Sequence, residues 1–134
     1  MREKIKLTLA MALLTIVGLP WPNTRFLEAQ EPNLTGITEK HVMLPMRDGK
    51  RLSAYLYIPA GKGPWPVIFE QRYASLRGKS ARESAARMAR AGYVVALVNF
   101  RGTHLSEGKY VGYRALQWGK LQDGYDVCEW LAKQ

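Results

Sequence analysis

Tyr93-Val94-Val95-Ala96-Leu97-Val98-Asn99-Phe100 runs directly into Arg101-Gly102-Thr103-His104-Leu105-Ser106-Glu107-Gly108. The first eight residues are apolar on both alternating faces. A strand of that kind needs helices above and below it and strands on both sides, which is the signature of a buried, largely parallel α/β sheet. The abrupt change to glycine, serine and charged residues marks the strand end, the edge at which sheets of this class hold their ligands.

Upstream, Gly92 reads as the cap that closes a helix. That helix opens with Ser80 and Glu83 at capping-box spacing and carries Ala85, Met88, Ala89 and Ala91 on one face. Val67-Ile68-Phe69-Glu70 is a strand, joined to the helix by Gln71 to Lys79. Further back, Leu52, Ala54, Leu56 and Ile58 alternate with Ser53, Tyr55 and Tyr57, a period of two that predicts a half-buried strand. Arg47-Asp48-Gly49-Lys50 is a tight hairpin turn that joins it to a first strand, His41 to Met46. Downstream, a last helix is predicted from about Trp118 to Lys133. The fold class is therefore α/β, with about four strands and two helices.

Composition sets the outer limits. At 134 residues, 47% hydrophobic and 23% charged, the chain holds one globular domain at most. The formal charge is +9, and Arg2, Lys4, Lys6 and Arg25 against Glu3 supply about a third of it. Met1 to Lys6 is a basic start, and Leu7 to Leu19 is uncharged throughout, a length that suits a secretory signal better than a membrane span. Residues 1–29 are expected to be a signal peptide or an N-terminal anchor, 30–37 a short leader and 38–134 the domain. The protein is then exported, periplasmic or secreted, and meets a membrane only if the first segment stays uncleaved. Cys128 is the single cysteine, so no internal disulfide can form. Its helical spacing with Leu121, Tyr125 and Ala132 predicts a buried core position.

The motifs, taken in order, resemble a known family. His41 to Gly49, Val67 to Tyr73, Asn99-Phe100-Arg101-Gly102 with Ser106-Glu107-Gly108, and Asp123-Gly124-Tyr125-Asp126 with Glu129-Trp130-Leu131 are similar to the opening of the X-Pro dipeptidyl-peptidase-like α/β-hydrolases, among them the cocaine-esterase-type acyl hydrolases. The resemblance runs from about residue 38 to the end. It implies the N-terminal half of an α/β-hydrolase sheet and a serine hydrolase chemistry. A serine on a sharp strand-to-helix turn attacks an acyl carbon, a histidine takes its proton and an aspartate orients the histidine. The resemblance places all three beyond Gln134, and no Gly-x-Ser-x-Gly occurs in the chain. The 134 residues alone are therefore expected to be inactive. It also implies that Tyr73, in Gln71-Arg72-Tyr73-Ala74, supplies its hydroxyl to the oxyanion hole, although Gln71-Arg72 replaces the more usual Asn-Pro. The implied partner is a small acyl ester, or a peptide with proline second, and no cofactor.

Other residues invite plainer readings. His104 is a loop residue beside the site, and His41 opens the first strand far from it. Asp123, Asp126 and Glu129 share one helix side, which is the pattern of a solvated face. Arg101 is expected to pair a carboxylate, and Ser106 lacks the flanking glycines of a nucleophile. Two alternatives stand beside the hydrolase. Arg77, Lys79, Arg82, Arg87 and Arg90 could form a small basic binding module, but they lack the aromatic platform of a nucleic-acid surface, so no nucleic acid is expected. A non-catalytic remnant is the other: in the strand order that the resemblance implies, with the fourth strand between the second and third, Val67 to Glu70 is left as an exposed edge once the nucleophile strand is missing. The oligomeric state is open.

Overall fold

The computed structural model describes residues 31–117 and 119–134; the expected export segment and Trp118 lie outside them. Strand β1 (Ile37–Pro45) begins four residues before His41 and pairs antiparallel with β2 (Arg51–Pro59). The Asp48-Gly49 turn joins them, and Gly49 takes the positive φ, 79°, that such a turn requires. Strand β3 (Val67–Arg72) lies parallel to β4 (Val94–Asn99) at an edge, giving the order β1-β2-β4-β3. The fourth strand thus sits between the second and third, as expected. The β2–β4 pair is antiparallel, however, so the described sheet is mixed rather than largely parallel. The short hairpin turn makes β1 and β2 antiparallel as well, and only the longer β3–helix–β4 connection allows a parallel pair.

Both faces of the sheet are covered. On one, Leu44, Leu52, Leu56, Ala96 and Val98 pack against Val127 and Leu131 of α3 (Asp123–Leu131), with the four-residue α2 (Arg114–Gln117) preceding it. On the other, Tyr55, Tyr57, Val95 and Leu97 meet Ala85 and Ala89 of α1 (Lys79–Arg90). Alternation along β4 sends Val95 and Leu97 one way and Ala96 and Val98 the other, which explains why the strand reads as continuously apolar.

The end of α1 agrees with expectation, whereas its start and the rotation of the last helix do not. At the end of α1, Gly92 N–H donates to Ala89 and Tyr93 N–H to Met88, a Schellman closure with Gly92 at φ 93°. At its start, Gly78 is the cap residue and no side chain caps it, so Ser80 and Glu83 lie inside the helix and form no capping box. Helix α3 turns Asp123, Val127 and Leu131 inward, leaving Cys128 exposed and Tyr125 56% exposed. The stripe of Cys128, Leu121, Tyr125 and Ala132 is therefore not core. This helix has apolar residues on both sides, and periodicity alone does not choose between them.

The choice is made by a buried ion cluster. Arg101 Nε and Nη2 donate to the two Asp123 oxygens at 2.8 and 2.6 Å, and its Nη1 donates to Asp48 Oδ2 at 2.7 Å. Arg101 and Asp123 are 5% and 1% exposed. One turn on, Asp126 accepts from the Arg47 backbone and guanidinium at 2.7 to 3.1 Å. Asp123 and Asp126 thus fasten α3 to the hairpin turn and the loop after β4, and the solvated-face reading fails for both. The Arg101 hydrogen bond holds the Asp48 carboxyl below its ordinary value.

Candidate active site

Strands β3 and β4 end side by side, and the loops that leave them carry the residues singled out in the sequence. Tyr73 is the first residue past β3 and is 61% exposed. Asn99 at the end of β4 holds its loop, because the amide Nδ2 donates to the carbonyls of Arg72 and Ala74 at 3.3 and 3.0 Å, on either side of Tyr73. From the loop after β4, His104 Nε2 donates to the Tyr73 carbonyl at 3.0 Å. A carbonyl can only accept, so this bond requires a proton on Nε2. His104 takes φ 49°, a left-handed backbone uncommon for a non-glycine. The structure thus brings Tyr73 and His104 together, whereas His41 lies across the sheet, bonded to Ser53 Oγ at 2.9 Å.

The β4 loop is rigidly held. Gly102 has φ 70°, and a Cβ there would stand 2.3 Å from the Tyr110 nitrogen, so glycine is required. Glu107 accepts from the Arg51 backbone and guanidinium, which keeps its carboxyl below the ordinary range. Ser106 is buried, accepts from Ser53 N–H at 2.9 Å and donates to the Asn99 carbonyl at 3.1 Å. It is a structural link, as the absence of flanking glycines suggested. The Asn99 and His104 bonds to the Tyr73 loop were not read from the sequence, since a backbone carbonyl as partner leaves no motif.

Beyond β3 the surface is open. A groove of about 480 Å³ is lined by Phe69, Gln71, Leu116, Gln122, Gly124, Tyr125 and Cys128. The buried Gln71 Nε2 has no hydrogen-bond partner among the described residues. No group of three or more His, Cys, Asp or Glu that could hold a metal ion occurs among those residues. No described helix is long and apolar enough to cross a membrane.

A sheet in this order, sandwiched by helices and presenting loops at the ends of its parallel strands, is the framework of the α/β-hydrolases. An α-amino acid ester hydrolase structure superposes with a TM-score of 0.63 at 23% identity, over 94% of this chain and 22% of that one. The aminopeptidase of a marine-sediment Thaumarchaeota archaeon gives 0.60 at 27% identity, over 78% and 20%. Residues 48–134 match the X-Pro dipeptidyl-peptidase (S15 family) model, and the chain belongs to that family. Cocaine esterase of Rhodococcus sp. (strain MB1 Bresler) is 31% identical over 98 residues, 70% of this chain and 16% of that protein. The chain thus spans about a fifth or less of the length of these relatives.

Proposed function

We propose that these residues are the N-terminal portion of an exported serine hydrolase that cleaves an acyl ester, or a peptide with proline second, through an acyl-enzyme. The observation that carries this reading is the family match over residues 48–134 together with the placement of Tyr73 at the end of the parallel pair β3–β4. There its exposed side chain extends from a loop fixed by Asn99 and His104. In the proposed reaction the Tyr73 hydroxyl donates to the oxygen that becomes negative when a serine attacks the acyl carbon. A preorganised donor of this type lowers the barrier by roughly 2.7 to 4 kcal/mol. The serine, the aspartate and the histidine come from sequence after Gln134, and the 134 residues alone do not turn over. Export rests on residues 1–29, and the partner is the small ester or peptide, with no cofactor and no nucleic acid.

The basic-module alternative is the weaker reading. Arg82 is bound by Glu39 and Glu31, Arg90 by the Asn33 carbonyl, and Lys79 lies 3.8 Å from Glu83, so much of that charge is locally engaged. The test is to read the encoding DNA past the codon for Gln134. A frame that continues into a strand and a Gly-x-Ser-x-x-Gly turn is expected, and Tyr73→Phe in that longer product should lower kcat/KM by about 10² to 10³. A stop codon at that point would confine the catalytic reading to ancestry.

A further inference from the structure

Behind the Tyr73 loop, on the α1 side of the sheet, lies a cavity of about 110 Å³ that no part of the hydrolase reading uses. Its walls come from β2, the β3–α1 loop, the end of β4 and the loop after it. Three polar side chains converge there in a definite pattern. Ser75 Oγ accepts from the Arg77 backbone N–H at 3.2 Å, and the Tyr55 hydroxyl oxygen accepts from Arg77 Nη1 at 3.5 Å. Each oxygen already receives a hydrogen bond, so each retains an O–H to give. The Arg77 guanidinium lies 5.5 Å from the centre of the Tyr55 ring and makes no ion pair with a described residue. No carboxylate lines the cavity. Glu39, whose field reaches Arg77, is engaged by Arg82 and Tyr57 at 2.7 to 2.9 Å.

We propose that this cavity is a site for a small carboxylate, held by the Arg77 guanidinium and the Ser75 and Tyr55 hydroxyls. Two hydroxyl donors and a fork of N–H groups suit the two oxygens of such an anion. The volume suits a molecule of about four heavy atoms, since a water's share is roughly 30 Å³. His104 also lines the cavity and bonds the Tyr73 carbonyl, so occupancy bears on the loop that carries Tyr73. The inference does not depend on the hydrolase reading.

The test is NMR titration of the 134-residue chain with sodium acetate, at constant ionic strength balanced with sodium chloride. The His104 ring and Arg77 Nε resonances should shift along a saturable curve that chloride does not reproduce. Arg77→Met should weaken binding at least tenfold, Tyr55→Phe about threefold, and Arg77→Lys should fall between wild type and Arg77→Met. A linear shift equal to that of chloride would overturn the site, as would unchanged binding in the folded Arg77→Met variant. Phosphate saturating the same resonances as readily as acetate would overturn the carboxylate assignment.

Discussion

The two ends of the strand order are built on different principles. At the β1–β2 end, a hairpin turn, the loop after β4 and the start of α3 converge on Arg101, and ion pairs with Asp48, Asp123 and, nearby, Arg47–Asp126 fasten them. At the β3 end no described strand pairs with the outer edge: Val67 is 43% and Ile68 37% exposed, and Phe69 and Gln71 line a groove with Tyr125 and Cys128. The closed end fixes geometry, while the open end supplies the edge and the loop on which the proposed chemistry depends. The order of the strands is thus secured from one side only, and substitutions should report that asymmetry.

The largest effect is expected at Arg101. Arg101→Met leaves Asp123 buried and unpaired, and removal of one partner from a buried pair costs about 3–5 kcal/mol. Arg47→Met breaks a bidentate pair whose arginine is 36% exposed and screened by solvent, and should cost clearly less than Arg101→Met. Urea unfolding followed by circular dichroism separates the two; equal costs would erase the distinction drawn here. Glycine substitutions sharpen it. Gly102→Ala adds a Cβ against fixed backbone at a positive φ and should cost about 2–3 kcal/mol. Gly124→Ala also meets backbone, the Leu116 carbonyl at 2.9 Å, but at an ordinary φ and with helix propensity gained, so it should destabilise less than Gly102→Ala.

The same asymmetry explains what could be read from the sequence. The β4 core strand, the Asp48-Gly49 hairpin and the Gly92 cap were legible because each depends on residues adjacent in the chain. So was the strand order, through the family resemblance. The rotation of α3 was not legible: Cys128 and Val127 are both apolar, and the decision is made by Asp123 meeting Arg101, 22 residues away in sequence. The Ser80–Glu83 box misled for a related reason, since the backbone enters α1 two residues early at Gly78. Tyr73 was singled out through its motif alone, whereas the Asn99 and His104 bonds that hold its loop end on backbone carbonyls and carry no sequence signal.

Acid should act first on the closed end. Asp48 is held below its ordinary value by the Arg101 bond. For Asp126, burial works upward, yet the Arg47 bonds prevail and the net shift is downward. Carboxylates lowered in the folded state add stability above their unfolded value, near 4, and that stability is lost as pH falls through the folded value. The urea midpoint should therefore be flat from neutral pH to about 5 and drop below about 4. Asp48→Asn should lower the plateau by about 1 kcal/mol and reduce the acid slope. An unchanged slope would mean that the cluster does not couple folding to protons.

The smallest effect on stability, and the sharpest probe of the open end, is Ile68→Lys. The side chain is 37% exposed on an edge strand whose outer backbone groups pair with no described strand, so the folded state should change by less than about 0.5 kcal/mol. A charge on such an edge opposes pairing with another chain. If β3 is an available edge, the 134-residue chain should associate with rising concentration in light scattering, and Ile68→Lys should suppress that association while His41→Lys, on the β1 edge, should not. Suppression by both would mean that net charge, not the edge, governs association. Suppression by neither would show that β3 is not the surface through which the chain self-associates, and the contrast between a fastened end and an open one would then rest on stability alone.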